Sequence, residues 1–238
     1  LIAVGLKERG IALRNATGLA PDGARLLETG GEVNTLASSS DSRTLAAGTS
    51  NGRLTLWDVA SRSLLTGPIE VSSESIESVS FSADGAMLAT AAGDGVRLWD
   101  VATGEARGTL GDGSSAGGVA FSPTGPVVAL VLSGYPDQTE QGGDVEIWDV
   151  TQRELIRKIE LDSAQGVIGY AIAFHPDGRV LATSGLGDSR VHLWDVESGQ
   201  LLRELEQNVG GAHGLEFSSD GDVLAVAGYG EPLVALID

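Results

Sequence analysis

A five-residue string ending in Trp-Asp recurs four times: LTLWD over Leu54 to Asp58, then VRLWD, VEIWD and VHLWD, closing at Asp100, Asp149 and Asp195. All four tryptophans of the chain lie in these strings, at spacings of 42, 49 and 46 residues. A worn copy, VALID, puts Ile237 a further 43 residues on, and another, IALRN, puts Arg14 43 residues before Trp57. A second motif keeps step with the first. FSADG at Phe81, FSPTG at Phe121, FHPDG at Phe174 and FSSDG at Phe217 hold all four phenylalanines. Self-similarity at this period means repeated supersecondary units that bury their apolar faces only by stacking on one another.

Within a repeat the punctuation is that of short strands. In the third repeat, Ile76 to Ser82 reads as strand one, turned by Ala83-Asp84-Gly85, and Met87 to Ala92 as strand two, turned by Gly93-Asp94-Gly95. Val96 to Asp100 follows as strand three and Ala106 to Leu110 as strand four. The 34 glycines among 238 residues, about twice the usual share of roughly 7 %, fit many tight turns. Apolar residues such as Val79, Phe81, Leu88, Leu98 and Trp99 then form the core between neighbouring sheets. A four-stranded sheet that is apolar on both faces, repeated every 40–45 residues or so, is the pattern of a propeller blade.

The period, the F-S-x-D-G turn and the x-L-W-D strand end together resemble the WD-repeat (Trp-Asp repeat) β-propeller family over essentially the whole chain. The resemblance implies an all-β fold of four-stranded antiparallel blades, about six of them present, with the first and last incomplete. It also implies that they belong to a seven-bladed ring completed from outside this segment, a closed six-bladed ring being the alternative. The expected blades cover residues 1–28 (partial), 29–70, 71–111, 112–161, 162–206 and 207–238 (partial), about 22 strands in all. One departure concerns the Gly-His dipeptide that opens many repeats of the family, which is absent from every repeat here. The family's Asp-His-Ser/Thr-Trp hydrogen-bond network is therefore incomplete, and the indole N–H groups of Trp57, Trp99, Trp148 and Trp194 need other acceptors.

Charge and composition exclude several functions. Fifteen Lys and Arg against 33 Asp and Glu give a net charge of −18, which repels phosphate backbones and anionic lipid heads, so neither nucleic acid nor a membrane is expected as partner. No cysteine is present for a thiolate metal site or nucleophile. The longest apolar run, Val127 to Leu132, falls far short of the roughly 18 residues that a spanning helix needs. The start at Leu1 suggests a piece of a longer protein, and cytoplasmic location is the default expectation.

The resemblance implies a rigid, non-enzymatic scaffold or sensor module for protein recognition within a longer protein. The F-S-x-D-G turns and the turns after Trp-Asp are nearly uniform, so the opposite loops are expected to form the working face. Its longest insertion, Ser133 to Gly143, carries Tyr135, Asp137 and Glu140, which with Tyr229 and Glu231 are the expected partner-binding residues. The same face collects Glu32, Glu74, Glu77, Asp112, Asp162 and Asp188 against Lys7 and Arg9, a match for a protein or peptide with a basic segment. Partner domains elsewhere in the same protein are a further expectation. No catalytic residue, cofactor or metal site is expected: no D-x-D-x-D-G calcium loop occurs. The two G-x-S-x-G strings, at Gly48 to Gly52 and Gly113 to Gly117, lack the helix that a nucleophile elbow requires. Asp94 and Asp188 read as turn formers, Tyr170 as strand core, and His213 as the one histidine that reaches the variable face. Two rivals stand beside this reading. One is an enzyme propeller with a carboxylate-rich, cation-assisted site at its channel mouth, involving Asp137, Asp144 and Asp188. The other is a purely structural module inside a larger assembly.

Overall fold

A computed structural model of the chain describes residues 2–6, 10–14, 27–133, 143–161, 168–186, 190–206, 212–228 and 234–237. These residues form 21 strands and no helix. The chain divides into two compact halves, Leu1–Gly113 and Ser114–Asp238.

In the first half, β1 (Ile2–Leu6) and β2 (Gly10–Arg14) form an antiparallel hairpin. Leu27 adds a single antiparallel bridge to Ile11, and residues 15–26 of this repeat lie outside the described residues. Two four-stranded antiparallel meanders follow. One comprises β3 (Val33–Ser38), β4 (Thr44–Thr49), β5 (Arg53–Asp58) and β6 (Ser63–Glu70). The other comprises β7 (Ile76–Phe81), β8 (Met87–Ala92), β9 (Gly95–Asp100) and β10 (Ala106–Leu110), within one residue of the strands read from the sequence.

The second half repeats the plan. Its first meander is β11 (Ala116–Phe121), β12 (Val127–Leu132), β13 (Val145–Asp149) and β14 (Glu154–Ile159). The next is β15 (Ile168–Phe174), β16 (Val180–Leu186), β17 (Arg190–Asp195) and β18 (Leu201–Glu206). A three-stranded sheet of β19 (Ala212–Phe217), β20 (Leu224–Gly228) and β21 (Val234–Ile237) completes it. Such sheets are the blades of a propeller fold.

Local chemistry explains the uniform turns. In the strand-one to strand-two turn, the Ser82 hydroxyl donates to Asp84 at 2.6 Å and accepts the Met87 N–H at 2.9 Å, while Asp84 accepts the Ala86 N–H at 3.0 Å. Gly85 closes the turn at φ 70°. Ser39 and Asp41 repeat this arrangement, with Ser42 holding the left-handed conformation at φ 58°. After strand three, Asp58, Asp100, Asp149 and Asp195 each accept backbone N–H groups from the turn that follows. The Asp of Trp-Asp is therefore a turn cap, an Asx-type device that satisfies donors the strand leaves free.

Within each half, sheets stack by burying apolar residues from strands one to three. Leu54, Leu56, Ile76, Val79, Leu88 and Trp99 form one such core between the β3–β6 and β7–β10 sheets. Val145, Ile147, Ile172, Leu181 and Trp194 form its counterpart between the β11–β14 and β15–β18 sheets. Trp99 and Trp194 thus pack on strand three of the sheet before their own. Burial of each such side chain is worth about 1.5–3 kcal/mol.

Candidate functional site

The four indoles find their acceptors in a regular way. Trp99 donates to Thr90 Oγ1 at 3.0 Å and Trp194 to Thr183 Oγ1 at 2.8 Å, both on strand two. Trp57 donates to Thr55 Oγ1 at 3.0 Å and Trp148 to Glu146 Oε2 at 2.9 Å, both on strand three. The two kinds of site are cross-strand partners: Thr90 pairs with Arg97, Thr183 with His192, Ala47 with Thr55, and Leu130 with Glu146. One member of each pair supplies the oxygen and the other is free to vary. This arrangement answers the gap left by the missing Gly-His dipeptide.

The acidic side chains nearest the motifs are occupied locally. Hydrogen bonds from Ser39, Ser82 and Ser218 hold the carboxyls of Asp41, Asp84 and Asp220 below the usual carboxylate range. Backbone and hydroxyl donors do the same to Asp58 and Asp195, through Ser61 and Ser198. Asp100, held by the Arg107 guanidinium and the Thr103 N–H, is pulled down to about 2. Asp94 lies in the β8–β9 turn as expected and grips Arg97 with both oxygens, at 2.8 and 2.9 Å. Asp144, a member of the rival cation site, is buried and pairs with Lys158 Nζ at 2.7 Å, which raises the lysine's pKa. Among the described residues, no group of three or more His, Asp or Glu side chains converges as a metal site would require.

His175 and His192 make contacts within the fold. His175 Nδ1 lies 2.8 Å from Asp177, and its ring meets Phe217 edge-on at 5.2 Å. His192 leans on Trp194 with ring centroids 5.8 Å apart. Both G-x-S-x-G strings run into strands, β5 and β11.

Of the expected partner-binding residues, Tyr135, Asp137, Glu140, Tyr229 and Glu231 all lie outside the described residues, as do Asp162, Asp188, Lys7 and Arg9. Glu74, Glu77 and Asp112 are exposed and Glu32 is half-buried. What the structure adds is a β-bulge at one position of strand one in each of five sheets. The pairing slips between Val33 and Thr35, Ile76 and Ser78, Ala116 and Gly118, Gly169 and Ala171, and Ala212 and Gly214. The extra residues are Asn34, Glu77, Gly117, Tyr170 and His213, five different chemistries on one backbone plan. A bulge bends its strand and re-aims the extra side chain. His213 at this position is exposed, whereas Tyr170, read from sequence as strand core, is placed here by backbone register only.

A second feature went unread in the sequence. Between the β1–β2 hairpin and the β3–β6 sheet lies a cavity of about 470 Å³, lined by Ala3, Leu13, Leu36, Leu45 and Val59, with Ser38 and Ser42 among its polar atoms. It sits at the end of the sheet that carries the uniform turns, away from the bulges. The available signal was register, since Ser38 stands 43 residues before Phe81.

The sequence profile described as WD domain, G-beta repeat (WD40) matches residues 21–58, 63–100 and 157–195. The chain is 28 % identical over 188 residues to pre-mRNA-processing factor 19 homolog 2 of Arabidopsis thaliana, covering 77 % of this chain and 34 % of that protein. It is 34 % identical over 110 residues to the WD repeat-containing protein VIP3 of Arabidopsis thaliana, covering 46 % of this chain and 32 % of the relative. It is also 33 % identical over 113 residues to the small ribosomal subunit protein RACK1y of Oryza sativa subsp. japonica, covering 43 % and 30 %. This is a WD-repeat chain.

Each matched WD repeat ends on a Trp-Asp pair, at Asp58, Asp100 and Asp195. The profile therefore cuts the chain between strands three and four, one strand out of step with the sheets. The WD repeat that it passes over is the one that ends at Asp149. There Leu130 takes the strand-two threonine's place, Glu146 serves as the indole acceptor, and the longest insertion falls between strands two and three. The chain spans about a third of the length of the curated relatives VIP3 and the factor 19 homolog.

Proposed function

We propose that this WD-repeat chain is a non-enzymatic scaffold for protein recognition, working through the face that carries the strand-one bulges and the strand-two to strand-three loops. The observation that carries the reading is the bulge position itself. The same slip in register recurs in strand one of five sheets, while the extra residue runs through Asn34, Glu77, Gly117, Tyr170 and His213. Varied chemistry at a recurring backbone position suits recognition of a partner better than a shared catalytic constellation. The similarity to WD-repeat proteins supports the same reading.

The finer proposals follow from charge and length. With a net charge of −18, the matching partner is a protein or peptide with a basic segment. The relatives are about three times longer than the region they share with this chain, which favours a module of a longer protein whose other domains also supply partners; a cytoplasmic location is proposed with it. Tyr135, Asp137 and Glu140 remain proposed loop contacts, together with Tyr229 and Glu231. Affinity capture tests this with two variants. One carries Tyr135→Ala, Asp137→Lys and Glu140→Lys; the other carries Glu77→Lys and His213→Glu. Both should unfold at the wild-type temperature, and each should lose partners that the parent retains at moderate salt. Equal capture by all three proteins would refute the assignment of this face.

A further inference from the structure

We propose that the cavity between the β1–β2 hairpin and the β3–β6 sheet is a receptor for a phenylalanine side chain presented by an extended segment of a partner protein. The argument is an internal comparison. The residues lining the cavity are Ala3, Leu13, Leu36, Ser38, Leu45 and Val59. At the next interface their counterparts are Ala46, Leu56, Val79, Phe81, Leu88 and Val101, and all six belong to one packed core. In the second half, Ala129, Ile147, Ile172, Phe174, Leu181 and Val196 pack together in the same way. Ala182, Leu193, Leu215, Phe217 and Leu224 do so once more. Three interfaces thus carry a phenyl ring at this place; the fourth packs Leu13, Leu45 and Trp57 with Ala3, Leu36 and Val59 against them, and has a cavity and a serine where the ring belongs.

Size and chemistry agree with this occupant. An apolar hole of roughly 150 Å³ accepts a benzene-sized ring. The 470 Å³ here leaves space for the ring and for the backbone that delivers it. Leu13 and Leu45 are buried at the floor, while Ser38 is exposed at the rim, where its hydroxyl can meet the peptide groups of an incoming strand. The proposal rests on the scaffold reading above and adds a contact on the opposite end of the sheets from the bulges.

The test is methyl NMR on the full chain, titrated with N-acetylphenylalanine amide and, as a control, N-acetylalanine amide. Ring-current shifts of the Leu13, Leu36, Leu45 and Val59 methyls are expected with the first probe alone. Ser38→Phe should abolish them while raising the melting temperature, and Ser38→Leu should weaken them if the larger replacement proves hard to fold. Absence of methyl shifts, or shifts that survive Ser38→Phe, would overturn the proposal. So would concentration-dependent self-association that Ser38→Phe removes without any probe binding, which would assign the cavity to a second copy of the chain. The capture experiment on the bulge face is independent. Probe binding that fails while capture persists overturns the cavity alone; capture that fails while the probe still binds overturns the bulge face and leaves the cavity standing.

Discussion

The two sheet interfaces of the first half are built from counterparts 42 or 43 positions apart, and both hold a packed core, yet only one of them leaves a cavity beside it. The difference comes down to Phe81 against Ser38. A repeat array tolerates such a loss because each interface is a nearest-neighbour contribution, so emptying one does not unstitch the others. What is spare for stability then becomes available for binding. The sharpest way to break the comparison is to make the packed interface resemble the hollow one. Phe81→Ser should destabilise the chain by about 3 kcal/mol, at the low end for removing a buried phenyl ring because Phe81 is only partly covered. Urea unfolding measures it, and a loss below about 1 kcal/mol would mean that the ring does not fill that interface as the geometry indicates.

The indole acceptors allow a second contrast, between the sheet that uses strand two and the sheet that uses strand three. Thr90→Val removes the oxygen that Trp99 donates to, in a fully buried setting, and should cost about 1–3 kcal/mol. Adding Arg97→Thr places a hydroxyl where Thr55 stands in the preceding sheet and should return part of that loss. Additive losses in the double variant would show that the two positions are not interchangeable. The reverse change at the hollow interface is gentler. Ser38→Phe should stabilise by about 0.5–2 kcal/mol, the range of cavity-filling substitutions, and raise the melting temperature by several degrees.

How far these features could be read from sequence depends on whether they repeat. The strands of the β7–β10 sheet were legible to within one residue, because alternation, turn residues and the Trp-Asp terminator all agree there. The need of the indoles for new acceptors was also legible. Their identity was not, since Thr55 and Thr90 sit at different offsets from their tryptophans and become neighbours only through strand pairing. The cavity was hidden for a related reason: a motif search finds phenylalanines where they occur, whereas Ser38 matters because a phenylalanine is absent. The bulges were invisible, because Asn34, Glu77, Gly117, Tyr170 and His213 share no residue type, only a slip in register. Asp144 looked like a candidate ligand in the sequence and is spent on Lys158.

The smallest effect separates the third-repeat turn from its counterparts by acid titration. Asp100 is capped by the Thr103 N–H like the others but also faces the Arg107 guanidinium, and its carboxyl sits at about 2 against an ordinary 3.8. A carboxylate with a depressed folded-state pKa adds stability above its unfolded value and gives it up as the pH falls toward the folded one. The contribution of Asp100 should therefore be complete above about pH 4 and fade down to about pH 2. Asp195 is lowered chiefly by the Ser198 hydroxyl and N–H, with Arg157 adding only a lesser coulombic pull. Urea midpoints followed across that window should flatten more in Asp100→Asn than in Asp195→Asn, and Arg107→Ala should reproduce much of the Asp100→Asn behaviour. Identical profiles for the two Asp→Asn variants would mean that solvent screens the arginine at this exposed turn, leaving the backbone cap as the whole of the effect.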